Sequence, residues 1–213
     1  MIGVDGGNVW LSSDPPASSE RETVADPHIC PWWLGYLLLS PLRKLWQNPK
    51  KILGPHIAPE MTGLDVGCGM GYFSLEMARL VGDRGKVVCV DLQAKMISGL
   101  ERRAKRAGFS ERIDTRLCTA ESLGLEDLKE RIDFALLFAV LHETPSQESF
   151  LVEVHTALRP DTRCLLAEPK GHVNRASFDK STAIAEEIGF EILEEPQMGR
   201  SHAVLLHRPA AAA

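Results

Sequence analysis

Short apolar runs alternate with longer amphipathic segments along the chain from residue 60 to residue 208. The runs predict buried strands, which are TGLDVG (62–67), KVVCVD (86–91), RIDTRLC (112–118), IDFALLF (132–138) and RCLLAE (163–168). Apolar residues at helical spacing between the runs predict helices over 72–81, 94–107 and 146–158. Regular alternation of strand and helix indicates right-handed crossovers in a mostly parallel sheet with helices on both faces.

The end of the chain departs from this alternation. A helix predicted over 178–188 leads to the strand FEILEE (190–195), and residues 196–201 connect it to the strand HAVLLH (202–207). This connection is too short for a crossover helix, so the last two strands should pair antiparallel. The predicted fold class is α/β, a three-layer sandwich whose mostly parallel seven-stranded sheet has an antiparallel strand near one edge.

The first 59 residues lie outside the alternation. Residues 1–27 are rich in Gly, Ser, Asp and Pro and predict an irregular or flexible arm. Residues 28–59 are rich in tryptophan, and prolines break them into short helical pieces. The predicted organisation is therefore an N-terminal arm (1–27), a helical segment (28–59), one main domain (60–208) and a tail (209–213).

Composition narrows the function classes. The chain has 213 residues, with 24 Lys and Arg against 29 Asp and Glu, a net charge of −5. This acidic balance disfavours a nucleic-acid partner, which normally meets a basic domain. The five cysteines include no C-x-x-C pair, so we expect neither a disulfide framework nor a metal site. We expect a cytoplasmic location, because a reducing compartment suits unpaired cysteines. No apolar run approaches the roughly 20 residues that span a bilayer, so we expect no integral membrane contact.

The strongest chemical signal is a glycine-rich loop after the first strand, which reads Asp-Val-Gly-Cys-Gly-Met-Gly over 65–71. Glycines allow a sharp turn and a close approach of a ligand to the backbone. A dinucleotide fingerprint starting at Gly67 would have its third glycine where Tyr72 stands. Asp65 would repel a pyrophosphate but suits a positively charged amine. A glycine turn with no ligand is the alternative.

The stretch LDVGCGMG (64–71) resembles motif I of the class I S-adenosylmethionine-dependent methyltransferases, which have a Rossmann-like fold. The resemblance extends more loosely from about Thr62 to Arg208. It implies that S-adenosyl-L-methionine is the cofactor and that Asp65 helps to hold its methionyl ammonium group. The residues of the loop that would surround the cofactor are Gly67, Cys68, Gly69 and Gly71.

The next two strands end in further candidate cofactor residues. Asp91 lies 20 residues after Gly71, an offset at which an acid can accept both ribose hydroxyls. Leu92 would then lie against the adenine. Capping of the helix that starts near residue 94 is the alternative role for Asp91. Thr119 and Ala120 fall where the family binds adenine, but many members have Asp in place of Thr119.

The fourth strand ends in a stretch that resembles motif IV of the family, Phe138-Ala139-Val-Leu-His142-Glu. The resemblance implies that Phe138 and Ala139 supply backbone carbonyls to the ligand amine. The stretch is not of the Asn-Pro-Pro-Tyr type associated with methylation of nucleic-acid amino groups, which favours a small-molecule acceptor. His142 is the candidate catalytic base or substrate-positioning group. Simple packing of His142 against the cofactor or a helix is the alternative.

Two further groups are candidate substrate residues. Glu168 and His172 follow the fifth strand at the edge where ligands bind in open α/β sheets, although a solvated surface loop explains them equally. The resemblance implies that residues 28–59 form a lid or substrate wall, with Trp32 and Trp33 facing the acceptor. Packing on the sheet and contact with a membrane surface are the alternatives for this segment.

The sequence therefore predicts an enzyme that transfers a methyl group from S-adenosylmethionine to a small acceptor. A catalytically silent cofactor-binding or interaction protein on the same fold is one alternative. A metalloid or thiol methyltransferase using Cys30 with another cysteine is a second. A nicotinamide dehydrogenase is disfavoured by Tyr72 and Asp65. A homodimer is left open.

Overall fold

The computed structural model describes residues 47–210, which follow the predicted alternation of strands and helices. The strands of this part are β1 (Thr62–Val66), β2 (Lys86–Asp91), β3 (Ile113–Leu117), β4 (Ile132–Phe138), β5 (Leu158–Pro169), β6 (Glu191–Glu194) and β7 (Ser201–Arg208). Its helices are α1 (Pro49–Leu53), α2 (Ser74–Val81), α3 (Ala94–Ala107), α4 (Gln147–Ala157) and α5 (Arg175–Ile188), with short 3-10 turns at Ser110–Arg112, Glu126–Leu128 and Leu141–Glu143. The predictions for Cys30, Trp32, Trp33 and the arm fall outside the described residues.

All seven described strands form one sheet in the order β3-β2-β1-β4-β5-β7-β6. Strands β1 to β5 pair parallel with one another, and β7 pairs antiparallel with both β5 and β6. The predicted mostly parallel sheet with an antiparallel strand near one edge is therefore confirmed. The short connection before β7 forces the reversal, because it has no room for a crossover helix.

Two apolar cores lie on opposite faces of the sheet. Alternate residues of β2 point to opposite sides, so Val88 and Val90 belong to the core that also contains residues of α4 and α5, whereas Val87 and Cys89 belong to the core with residues of α1, α2 and α3. This arrangement buries the central strands on both faces and explains their continuous apolar runs. It is the predicted three-layer sandwich.

The ends of several elements differ from the predicted bounds. Helix α2 begins at Ser74 instead of 72, because the residues before it complete the glycine turn. Strand β5 begins directly at Leu158 instead of 163, with an irregular register around Asp161, whose φ is 62°. Helix α5 begins at Arg175 instead of 178, because the Asn174 side chain accepts a hydrogen bond from the Ser177 N–H and caps it.

The order of the strands determines where a ligand can bind. From β1 the chain moves through β2 and β3 on one side and then returns to place β4 on the other side. The crossovers thus diverge between β1 and β4 and leave a crevice at the carboxyl ends of these strands. Within residues 47–210, no helix is both long enough and apolar enough to cross a membrane.

Candidate functional site

A cleft of about 560 Å³ opens at the carboxyl ends of β1, β2, β3 and β4. It brings together most of the residues that the sequence predicts for the cofactor and the chemistry. These are Asp65, Gly67, Cys68, Gly69, Asp91, Leu92, Thr119, Ala120, Phe138, Ala139 and His142. Four neighbouring strands span three interstrand spacings, about 14 Å, so the cleft suits an elongated ligand.

The three glycines of the loop have different physical roles. Gly67 and Gly71 have φ angles of 71° and 79°, and an added Cβ would lie 2.7 Å from Val140 and 2.3 Å from Leu100 respectively. These two glycines are therefore needed for close packing against the protein itself. Gly69 also has a positive φ of 52°, but an added Cβ would meet no atom within 4 Å. Gly69 thus faces open space in the cleft.

Four backbone N–H groups of the loop, those of Gly67, Cys68, Gly69 and Gly71, have protein acceptors. Gly67 and Cys68 donate to the Val90 carbonyl at 2.9 and 3.1 Å, and Gly71 donates to the Cys68 carbonyl at 2.9 Å. Gly69 donates to Asp91 Oδ2 at 2.8 Å. A phosphate cradle needs N–H groups that point at the anion. This loop is instead closed on itself and offers little to a pyrophosphate.

Asp65 is a buried carboxylate at the end of β1, with 2% of its surface exposed. Its Oδ2 accepts a hydrogen bond from the Ser74 hydroxyl at 2.5 Å, and Ser74 is the fully buried first residue of α2. The pair connects the strand before the glycine loop with the helix after it. Ser74 is a site residue that the sequence analysis missed. A hydroxyl at a helix start is the signal that could have found it.

Asp91 ties the glycine loop to the start of α3. Its Oδ2 accepts from the Gly69 N–H and its Oδ1 from the Gln93 N–H, both at 2.8 Å. Burial raises the pKa of Asp91, while these two hydrogen bonds oppose the increase. Each carboxylate oxygen has a second lone pair, so the carboxylate can still accept hydrogen bonds from a ligand. The ribose role of Asp91 stays a prediction.

The predicted adenine side of the cleft combines an exposed apolar side chain with a tight turn. Leu92 lines the cleft and is 38% exposed, so it offers an apolar surface to a ligand. The Thr119 hydroxyl oxygen accepts from the N–H groups of Glu121 and Ser122 at 3.3 and 3.2 Å. That oxygen therefore holds the turn. The adenine roles of Thr119 and Ala120 stay predictions.

The charge of the cleft wall is negative. Its acidic residues are Asp65, Asp91, Glu121, Glu143 and Glu153, and no lysine or arginine between residues 47 and 210 lines it. Glu153, which the sequence analysis did not single out, accepts from the Leu123 N–H at 3.0 Å and holds the loop after β3. Low-dielectric walls of one sign concentrate the field in a cleft. This wall favours a cationic ligand over a phosphorylated one.

The loop after β4 turns sharply into the cleft. Ala139 has a φ of 58°, a left-handed conformation that is uncommon for a residue with a side chain. Its N–H donates to the Ala167 carbonyl of β5 at 2.8 Å, which fixes the turn. The Phe138 ring packs on Phe73 with centroids 4.6 Å apart and forms an apolar part of the wall. This turn leads into the short helix that carries His142.

His142 and Glu168 form a close pair at the edge of the cleft. His142 Nδ1 lies 2.5 Å from Glu168 Oε2, and its Nε2 lies 3.9 Å from Glu143 Oε1. The hydrogen bond with Glu168 raises the pKa of His142, and burial opposes the increase. The imidazole is therefore held in one orientation while it lines the cleft.

Glu168 and His172, the residues predicted to face the methyl acceptor, have different surroundings in the structure. Glu168 is only 1% exposed and lies behind His142, where the Leu141 N–H donates to its Oε1 at 2.8 Å. His172 is exposed, and its ring contacts that of His142 edge-on with centroids 5.5 Å apart. Neither residue lines the cleft. Their roles toward an acceptor stay predictions.

Two thiols also line the cleft, Cys68 and Cys118. Burial raises the pKa of Cys118 to about 11, so its thiol is protonated near neutral pH. The four cysteines between residues 47 and 210 are all unpaired, and no group of three or more potential metal ligands occurs in that range. The described thiols are therefore weak candidates for binding a metalloid.

Comparisons with known proteins agree with this geometry. A family model described as a methyltransferase domain matches residues 57–199. The chain is 30% identical over 105 residues to a ubiquinone/menaquinone biosynthesis C-methyltransferase from Hahella chejuensis, covering 49% of this chain and 41% of that protein. It is 27% identical over 165 residues to an arsenite methyltransferase from Halobacterium salinarum, covering 69% of this chain and 41% of that protein. The chain thus spans less than half the length of both curated relatives.

A solved structure of an S-adenosylmethionine-dependent methyltransferase from Aquifex aeolicus superimposes with a TM-score of 0.76. The match covers 84% of this chain and all of the other at 20% identity. Similarity at this level shows a common fold.

Proposed function

Because the chain belongs to the methyltransferase domain family, we propose that it transfers a methyl group from S-adenosylmethionine to a small-molecule acceptor. The observation that carries the proposal is the acidic cleft beside a glycine loop in which the N–H groups of Gly67, Cys68, Gly69 and Gly71 have protein acceptors. A sulfonium cofactor with a cationic amine matches these charges, whereas a pyrophosphate meets two nearby carboxylates and no cation in the described wall. The cofactor and the activity thus follow from electrostatics as well as from the family.

The residues of the cleft fit this cofactor from one end to the other. Asp65 would stabilise the methionyl ammonium group, and Asp91 would accept hydrogen bonds from the ribose hydroxyls. Leu92, exposed at 38%, would lie against the adenine and lose that exposure on binding. When bound, the sulfonium supplies an electrophilic methyl group. The open space in front of Gly69 leaves room for the ligand to approach the backbone.

The protein's part in methyl transfer is mainly to align the reacting atoms, since the cofactor carries the reactive group. Phe138 and Phe73 form an apolar part of the wall that excludes water on one side. His142 stands on the other side with its ring held by Glu168. Residues 28–59, with Trp32 and Trp33, remain our proposal for the lid and the acceptor wall.

Support for a small acceptor comes from the relatives. One acts in ubiquinone and menaquinone biosynthesis and another on arsenite. A hydrogen bond with Cys89 and burial raise the pKa of Cys68, and burial raises the pKa of Cys118, the other thiol of the described cleft. Thiols that stay protonated favour an organic acceptor over a metalloid. A cytoplasmic location and a homodimer remain expectations of the sequence.

Calorimetric titration tests the proposal. We expect S-adenosylhomocysteine, the demethylated form of the cofactor, to bind and NAD not to bind. Asp91→Asn should weaken S-adenosylhomocysteine by about 10-fold or more, because hydrogen bonds to a charged group contribute about 1.5–3 kcal/mol. Asp127→Asn is the matched control, since Asp127 is an exposed partner of Arg116 outside the cleft. Binding of NAD with none of S-adenosylhomocysteine would overturn the proposal.

A further inference from the structure

The pairing of His142 with a carboxylate buried behind it is not explained by cofactor binding. We propose that Glu168 is a positioning residue which holds His142 as the Nδ1–H tautomer, so that Nε2 takes a proton from the acceptor. The acceptor is then a compound that loses a proton on methylation, such as one with a phenolic or enolic hydroxyl group. This inference rests on the proposed function and names the acceptor class for the same site.

Both oxygens of Glu168 are committed to the turn that carries His142. Oε1 accepts from the Leu141 N–H at 2.8 Å, and Oε2 faces Nδ1 of His142 at 2.5 Å. Glu168 itself stands on β5, whose neighbouring residue Ala167 pairs with Phe138 at the end of β4. The carboxylate therefore fixes both the backbone and the ring of the turn from a rigid strand.

This arrangement decides which nitrogen of the ring is available. An ionised carboxylate can only accept hydrogen bonds, so the nitrogen facing Glu168 must carry the proton. In the neutral imidazole the lone pair then belongs to Nε2. Nδ1 faces the buried Glu168, whereas Nε2 lies 3.9 Å from Oε1 of Glu143, and both Glu143 and His142 line the cleft.

Burying a carboxylate is costly unless its charge is compensated, and an apolar residue at the end of β5 would avoid this cost. The groups that face His142 are Glu168 from β5, Glu143 from its own turn and His172 from the loop after β5. The two carboxylates both raise the pKa of His142. In its neutral form a histidine held in this way is a stronger base than a free imidazole, because the carboxylates stabilise the imidazolium that forms when Nε2 takes a proton.

The proton balance then restricts the acceptor. A thiolate, an unprotonated amine or a metalloid lone pair attacks a methyl group without a base. A hydroxyl acceptor has to lose its proton: the O–H bond breaks, the proton goes to Nε2, and the oxygen pair forms the new O–C bond. The electron pair of the broken S–C bond remains on sulfur.

Glu168→Gln is the decisive variant. The amide oxygen still accepts from the Leu141 N–H, but the amide NH₂ now donates to Nδ1 and moves the ring proton to Nε2. Long-range ¹H–¹⁵N NMR of the wild type should show protonated Nδ1 and unprotonated Nε2 on His142 at a pH above its pKa. The variant should show the reverse, with a lower titration midpoint. Unchanged tautomer and midpoint in the variant would overturn the inference.

The matched control is Glu191→Gln, which changes a different histidine–glutamate pair. Glu191 Oε2 lies 3.2 Å from Nδ1 of His207. Neither of these two residues lines the cleft. This variant should alter the signals of His207 and leave those of His142 and the activity unchanged. Comparing Glu168→Gln with Glu191→Gln shows whether the loss of a carboxylate affects only the histidine that it contacts.

Turnover provides the second readout. With phenolic acceptors, Glu168→Gln should lower kcat by about 100-fold or more, the range of a general base, and leave the Kd of S-adenosylhomocysteine within about twofold. His142→Gln should give the same loss, and the double variant no further loss. Acceptors whose attacking atom carries no proton, such as a tertiary amine, should lose little in either variant. Equal losses for both acceptor classes would contradict the inference, whereas a wild type that binds no S-adenosylhomocysteine would refute the proposed function instead.

Discussion

Gly69→Ala separates the two demands that the structure makes on the glycine loop, the fold of the turn and the approach of a ligand. Gly69 has a φ of 52°, and an added Cβ meets no protein atom within 4 Å. The left-handed conformation costs an alanine about 1–2 kcal/mol, and no steric clash adds to this cost. The free energy of unfolding should therefore fall by only about 1–2 kcal/mol.

The same methyl group should also weaken binding of the ligand, because Gly69 lines the cleft. Overpacking by one methyl group costs about 1–3 kcal/mol, which corresponds to roughly a 5- to 150-fold increase in the Kd of S-adenosylhomocysteine. Gly67→Ala behaves differently, since its Cβ would lie 2.7 Å from Val140 Cγ2. That variant should lose roughly 2–5 kcal/mol of unfolding free energy, the sum of conformational strain and overpacking.

Gly108→Ala is the matched control for the conformational cost. Gly108 has a φ of 74°, open space around its would-be Cβ, and a place at the end of α3. Helix α3 has 14 residues, so this end lies about 21 Å from the end beside the cleft. Denaturant unfolding should give similar losses for Gly69→Ala and Gly108→Ala, and calorimetry should show weaker binding only for the first. Wild-type affinity in Gly69→Ala would refute the close approach of the ligand.

Two further predictions concern buried and ionic contacts outside the proposed chemistry. Ser74→Ala removes the hydrogen bond to the buried Asp65 carboxylate and should lower the free energy of unfolding by about 1.5–3 kcal/mol, measured by urea titration; an unchanged value would mean that Asp65 finds another donor. His207 lies between Asp161 and Glu191, and hydrogen bonds with these carboxylates raise its pKa. These contacts therefore stabilise the folded protein fully below the unfolded pKa of histidine, about 6.5. The stabilisation is lost as the pH rises through the higher pKa of the folded state. His207→Gln should therefore destabilise the protein at about pH 5.5 and have little effect at about pH 9, and a loss of equal size at both would exclude the ion pairs as its cause.

The parts that the sequence predicted are those determined by local spacing. Continuous apolar runs indicate strands buried on both faces, and the spacing of glycines after Asp65 is enough to predict the glycine loop. The early start of β5, at Leu158, could not be predicted from the apolar pattern. It arises because Pro160 and Asp161 interrupt the passage from helix to strand without ending the pairing with β4. Periodicity averages over such an irregularity.

The candidate site was predictable in its members but not in their pairings. Asp91 was expected to bind a ribose or to cap α3, and the structure shows that it bonds both Gly69 and Gln93. Glu168 was expected to face an acceptor, and its position behind His142 depends on the register of β5 against β4. Such register depends on contacts between distant parts of the chain, which no local pattern contains.

The switch in strand order also divides the site into two chemical halves. The loops after β1, β2 and β3 present acidic and apolar groups that suit a cationic, elongated cofactor, whereas the loops after β4 and β5 present an oriented imidazole. The two halves meet where β1 pairs with β4, and Glu153 of α4 also joins them by accepting a hydrogen bond from the Leu123 N–H in the loop after β3. A family built on this plan can keep one cofactor half and vary its acceptors through the other, which is why the pairing of His142 with Glu168 says more about the acceptor than the glycine loop does.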